Sequence, residues 1–463
     1  MTVRATPAVA SSAEPAARTL ARFSADLEWR VIPEPVRERT QELLLDLLGV
    51  IVRGSASESS APVREFVRSQ GTGPATVFGG LLRTSPAWAA LANGVFGHAI
   101  EMDDVTTESS LHPGVAVIPA AVAVAEEQGA SPTALLEAIV AGYEVTIRVG
   151  NALGAASSYG RGFHPTGVAG VFGAAVAAGK LTRLDADGLA HAIGIAGAMA
   201  SGSLSYLDDG SWTKRLDPGW AAHAGIVAAG LARYGFTGPA TALEGPHGLL
   251  RGYTDAPDPE RLTEGLASSE LEIMHVSIKP YGCCRYSHGL IDAVLALRKE
   301  HRITADNVVR LRLGVLSGGW SLIAEDIERK RDPKNTVDAQ FSAPYAAAVA
   351  LIEGRAGLRE FEHVSDPRIH ELMARTDCYL DPSLDAEYPK RWPAAVEIEL
   401  RDGRVFKKRI DHALGEPENP VGREALIDRF VEMTAQIPDA RRTAERILHL
   451  EREPDLSVLE ALA

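Results

Sequence analysis

Runs of Ala, Leu and Val at helical spacing, parted by short breaks containing Gly or Pro, fill the first half of the chain. Apolar residues recurring every three to four positions mark amphipathic helices, and Pro, Gly and small polar residues mark their ends. The pattern predicts helices over residues 34–52, 86–102, 113–127 and 132–153. Three more, over 165–180, 185–201 and 218–234, are so rich in Gly and Ala that few polar positions remain to face water, which places them centrally.

Near residue 271 the texture changes. Residues 272–278 and 308–316 alternate like strands, and 396–400 and 405–409 flank Asp402-Gly403 as a hairpin with a type I′ turn. Helical stretches at 287–300, 343–353 and 367–374 lie between them, and the pattern is helical again after Pro420. The fold expected is mainly α, with a large all-helical domain from 19–270 plus 412–463 and a smaller α+β domain at 271–411. Residues 1–18 are expected to be a flexible tail. No repeat of fixed period is present, which argues against a solenoid.

Composition narrows the function. The uncharged stretches 162–179 and 188–207 are mostly Gly, Ala and Ser, too weakly apolar to span a bilayer, and the N-terminal segment lacks the apolar core of a secretory signal. A soluble, cytoplasmic protein is expected. Three cysteines, two of them adjacent, make a disulfide framework improbable. A net charge of −14 works against nucleic acid or an anionic membrane as partner. An anionic substrate would therefore need a local cluster of cations.

Candidate chemistry sits where helices begin. His112-Pro113, His164-Pro165 and Asp217-Pro218 each open an apolar run, and Pro favours the first helical position. The positive end of the helix dipole disfavours imidazolium and attracts anions, so His112 and His164 read either as neutral proton acceptors beside carboxylate sites or as plain capping residues. Glu101-Met102-Asp103-Asp104 closes a helical run with acids, an arrangement the dipole disfavours, so another contact must hold them. Cations stand at Arg161, Lys214, Arg215 and Lys279, the last ending a strand at the domain junction. Cys283, Cys284, His288 and Asp292 follow Lys279, but catalytic Cys/His pairs are recognised by geometry that spacing cannot supply. No zinc-type spacing and no glycine-rich nucleotide loop occurs, so no metal and no cofactor is expected.

As an ordered set, Gly97 through Asp104, His112-Pro113-Gly114, Gly162 through Gly167, Lys214, Glu244 through Gly248 and Lys279 through His288 resemble the MmgE/PrpD family, with matching order across roughly residues 20–450. That family contains 2-methylcitrate dehydratases, cis-aconitate decarboxylases and iminodisuccinate epimerases, built from a helical domain and an α+β lid, generally as metal-free homodimers. The resemblance implies that Asp103, His112, His164, Lys214, Lys279 and His288 face the cleft between domains. Arg161, Asp104, Tyr281, Cys284 and His288 complete the expected substrate-binding set. Gly282 stands where many members have proline, Cys284 where the decarboxylase branch has histidine, and Val105 where it has threonine. These departures count against decarboxylation.

The resulting expectation is a cofactor-independent lyase acting on a small polycarboxylate, most like a 2-methylcitrate dehydratase. Lys214 and Lys279 would hold carboxylates, one of His112 and His164 would take a proton beside a carboxylate, and the other would protonate the leaving hydroxyl, with Asp103 orienting. Decarboxylation, epimerisation and a non-catalytic acid-binding role remain the alternatives.

Overall fold

Helices lined with Gly and Ala can approach backbone to backbone, and the structure uses this at its centre. The computed structural model describes residues 14–266, 268 and 270–463. It is mainly α, with a smaller α+β region. The Pro165–Leu181 helix buries every residue but Lys180 and packs against Gly114–Gln128, Pro132–Leu153 and Thr213–Arg233. A Cβ added at Gly94, on the Pro86–Gly97 helix, would lie 2.7 Å from the Cα of Gly219. No larger residue fits there, and the contact sets the first turns of Thr213–Arg233 beside the chain that leaves Gly97.

One apolar core gathers residues from Ala16 to Ile278 and again from Leu426 to Leu462. A second lies among Tyr281 to Leu400. The latter is built on a four-stranded sheet in the order Thr376–Leu380, Val308–Val315, Ala394–Leu400, Val405–Ile410, with only the first pair parallel. Alternating burial along Ala394–Leu400 gives the sheet one apolar face, which packs on His288–His301. The C-terminal Arg423–Met433 helix returns to pack on Glu34–Gly54. Among the described residues, no helix is long and apolar enough to cross a membrane.

Several expectations need correction. Residues 1–13 lie outside the described residues, but Ala16 already begins the Ala16–Asp26 helix and Ala17, Leu20 and Ala21 are fully buried, so residues 16–18 belong to the fold and not to a tail. The helix from Pro86 stops at Gly97, where the Ala99 amide bonds back to the Phe96 carbonyl in a tighter turn, and Glu101, at a left-handed φ of 58°, begins the buried acidic segment. Pro218 does not open its helix; Thr213 does, and Pro218 sits inside it. Lys214 and Asp217 are therefore neighbours on one helical face. The strand expected at 272–278 shrinks to Val276–Ser277 after a short 3₁₀ turn, and pairs with Val105–Thr106. The hairpin turn is not type I′, which needs positive φ at both central residues. Only Gly403 has it (φ 83°), and a three-residue loop closes between Leu400 and Arg404. Thr376–Leu380 was not foreseen as a strand, since its burial does not alternate.

Candidate active site

The two-residue ladder between Val105–Thr106 and Val276–Ser277 ties the acidic segment to the chain that carries Lys279. Glu101 is the centre of the result. Left-handed backbone costs a non-glycine residue roughly 1–2 kcal/mol, and Glu101 (φ 58°) is held there by both lysines. Its Oε1 forms an ion pair with Lys214 Nζ, its Oε2 lies 3.6 Å from Lys279 Nζ, and its carbonyl accepts from Lys279 at 3.2 Å. Burial pushes the Glu101 carboxyl up, but Lys214 and Lys279 outweigh it and hold the group below the usual carboxylate range. Lys279 is 1% exposed, so these contacts replace the water its ammonium group gives up on burial.

Three imidazoles gather beside the lysines. The rings of His98 and His112 are 4.9 Å apart between centroids, and those of His98 and His164 are 5.6 Å apart. Asp103, fully buried, sits 2.7 Å from His98 Nδ1 and 3.1 Å from His112 Nδ1, with Lys279 Nζ at 3.9 Å. Burial works against its charge, but His112, His98 and Lys279 hold its carboxyl well below the ordinary range. His112 Nδ1 is also 2.7 Å from the Asp104 carbonyl oxygen, which can only accept. Nδ1 thus carries a proton, which leaves Nε2 as the nitrogen that faces outward for proton exchange. His164, at the N-terminal cap of Pro165–Leu181, lies 2.9 Å through Nδ1 from Asp217 Oδ2. Burial lowers the His164 pKa, and Asp217 opposes that shift. The expected bias toward neutral imidazole holds for His164, with desolvation as its leading cause. Burial also lowers His98 to about 3.

These groups line an inner cavity of ≈70 Å³ whose walls include Glu101, His112, His164, Lys214 and Lys279. Val105, Tyr159 and Tyr206 add to the helical side; Cys284, Arg285, Tyr286, Phe341 and Trp392 come from the α+β region. Glu101, Tyr206, Lys214 and Phe341 also border an outer cavity of ≈280 Å³. Small-molecule sites usually enclose about 300–1,000 Å³, and the inner chamber by itself is smaller than that. Arg285 is a third cation, ion-paired with buried Glu416 and 5.8 Å from the Trp392 ring. Each of these three cations thus has an internal carboxylate partner.

His112, His164, Lys214, Lys279 and Cys284 meet at this cavity, with Asp103 directly behind the imidazoles. Four expected substrate contacts do not. Arg161 is exposed and engaged with Asp255 and the Gly252 carbonyl. Asp104 accepts from Tyr143 and from the amide of Gly114, which makes it an anchor for the His112 turn; burial raises its pKa to about 7. Tyr281 donates to Asp292, and His288, fully buried, lies 3.3 Å through Nε2 from the Cys283 carbonyl. Neither ring lines the cavity, because the turn before the His288–His301 helix directs both into the second core. Burial pushes the Cys283 and Cys284 thiols up, away from the nucleophilic thiolate.

Glu101, His98, Asp217, Arg285 and the aromatic wall were not singled out as site residues. For Glu101 a signal existed, since acids where a helical run ends demand a distant partner. Asp217-Pro218 reads as a helix opening and His98 lies within the Gly97–Asp104 motif, but neither signal says which side chain the residue meets across the core. His98, Asp103 and His112 offer ligand atoms close enough together for a metal ion, as do His412, Glu416 and Glu418. In the first group, however, His112 Nδ1 is committed as a donor to a carbonyl and the His98 Nδ1 to Asp103.

Two family models match the chain. The family model for the MmgE/PrpD N-terminal domain matches residues 18–262, and that for the MmgE/PrpD C-terminal domain matches residues 281–453. The chain is 28% identical over 468 residues to the cis-aconitate decarboxylase-like protein oryM of Aspergillus oryzae, covering 96% of each chain. It is 27% identical to the cis-aconitate decarboxylase of Aspergillus terreus, covering 95% of this chain and 94% of that one. The cis-aconitate decarboxylase of Mus musculus is 27% identical, with 93% and 90% covered.

Proposed function

We propose, for a chain that belongs to the MmgE/PrpD family, a lyase that moves a proton at a carbon next to a carboxylate of a small di- or tricarboxylic acid. The observation that carries this reading is the pairing of two imidazoles, each anchored through Nδ1, with two lysines that share one displaceable carboxylate. Removing a proton beside a carboxylate builds a second negative charge onto it. Ammonium groups in a water-poor chamber offset that charge as it develops, which is commonly the largest catalytic contribution.

In the dehydration reading, on a 2-methylcitrate-like hydroxy acid, substrate carboxylates take Lys214 and Lys279 from Glu101. Nε2 of one neutral imidazole accepts the proton, the C–H electron pair becomes the C=C bond, and the hydroxyl leaves as water with the Nε2 proton of the other ring, which enters the reaction as imidazolium. Two imidazoles with different carboxylate partners suit one acid and one base. A second reading, decarboxylation of a cis-aconitate-like acid, is favoured by the named relatives. There the C–C bond to a carboxylate breaks, CO₂ leaves, and the carbon receives a proton from an imidazolium. Val105 and Cys284, which depart from the decarboxylase branch, both line the chamber. The reading includes a homodimer acting in the cytoplasm, without a resident cofactor.

The test is to incubate the protein with 2-methylcitrate, citrate and cis-aconitate in deuterated water and to follow products by NMR. Water loss from a hydroxy acid supports dehydration; CO₂ with one deuterium in the product supports decarboxylation. Deuterium exchange with inversion alone would reassign the enzyme as an epimerase. Full activity in folded Lys214→Ala or His112→Ala would overturn the site.

A further inference from the structure

Behind the wall that carries Lys279 lies a second cavity, of ≈700 Å³, which shares no lining residue with the inner chamber. Met102 and Pro280 form part of its surface, and both are chain neighbours of residues that face the chamber. Arg429 stands between the two spaces. Its guanidinium donates to the carbonyls of Met102 (2.9 Å) and Lys279, while Nε lies 2.8 Å from buried Asp46.

Arg53, Arg64 and Arg359 also line this cavity, against the single carboxylate of Glu432. In a chain of net charge −14 this is a local excess of positive charge. Arg53 and Arg429 pair with Glu362 and Asp46; Arg64 and Arg359 make no such pair among the described residues. The Arg64 guanidinium is positioned by a hydrogen bond to the Ser55 carbonyl and by the Phe96 ring, 5.5 Å away, and no carboxylate neutralises its charge among the described residues. Apolar side chains, among them Val52, Leu358, Leu414 and Met433, supply the rest of the wall. An apolar enclosure with a few convergent donors is the usual make-up of a small-molecule site, and guanidinium forks match carboxylate and phosphate oxygens.

We propose that this cavity is a second ligand site, taking a small polyanion: a di- or tricarboxylate, or a phosphate ester with at least two negative charges. Arg64 and Arg359 bind the anion, and Arg429 joins the site to the backbone that presents Lys279. The site stands independently of which acid the catalytic cleft turns over.

Calorimetric titration of the full chain with inorganic pyrophosphate and with citrate tests this. The Lys214→Ala variant disables the cleft and should still bind at least one of the two anions at a single site. Preference for citrate would assign a carboxylate ligand and preference for pyrophosphate a phosphate ester. Arg64→Gln/Arg359→Gln should weaken that binding at least tenfold, and Arg359→Gln alone, at an exposed position, should weaken it in the same direction with the fold intact. Loss of all binding in Lys214→Ala, or unchanged binding in the arginine variants, would overturn the proposal.

Discussion

His164 and Asp217 meet at 2.9 Å between Nδ1 and Oδ2, bringing the cap of one central helix onto the second turn of another. The carboxylate fixes which ring nitrogen carries the proton and raises the affinity of the other for one. Asp217→Asn preserves shape and removes charge. Turnover should fall about 100-fold or more, and the limb of the pH–rate profile due to His164 should move to lower pH. An unchanged profile would separate Asp217 from the chemistry.

Glu101 occupies the lysines that a substrate carboxylate must reach. Glu101→Gln leaves Lys279 buried with less compensation, and breaking a buried ion pair typically costs about 3–5 kcal/mol. The variant without ligand should melt at lower temperature than wild type, and saturating citrate should raise its melting temperature by more than it raises that of wild type. Equal citrate shifts in the two proteins would mean that Glu101 does not compete with the ligand.

His98 is neutral in the fold, its pKa lowered from an ordinary 6.5 to about 3 by burial. The unfolded chain protonates first as pH falls, so the stability His98 permits is complete above about pH 6.5 and is lost progressively down to about pH 3. The slope is at most about 1.4 kcal/mol per pH unit. Denaturant unfolding at pH 7 and pH 5 should show wild type losing more stability than His98→Gln. Parallel losses would contradict the assignment.

Trp212, Leu216 and Trp220 recur every four residues along one side of Thr213–Arg233 and its cap, each more than 40% exposed, and Tyr234 continues beyond the helix. A stripe of this kind is what two copies of the chain would bury against each other. Sedimentation should give a dimer for wild type and a monomer for Leu216→Glu/Trp220→Glu; a monomeric wild type would refute the homodimer.

Much of this was legible in the chain, and the reasons are local. Pro132–Leu153, Ala343–Glu353 and Val308–Val315 appear close to where periodicity puts them, because a 3.6- or 2-residue repeat is written in neighbouring side chains. His164 at a helix cap was readable from His-Pro alone. Pro218 misled because its helix already had a start at Thr213, and Tyr281 and His288 misled because spacing along a turn does not say which core it faces.

By itself the sequence determined the helical character, the late sheet, the absence of zinc-type spacing and the supply of imidazole and ammonium groups, all consequences of composition and short-range pattern. Tertiary structure alone decided that Glu101 joins Lys214 to Lys279, that Asp217 answers His164, and that Asp104 anchors a turn instead of meeting a ligand. Those relations depend on which backbones can approach, as at Gly94 and Gly219, and on which buried charge finds a partner across the core.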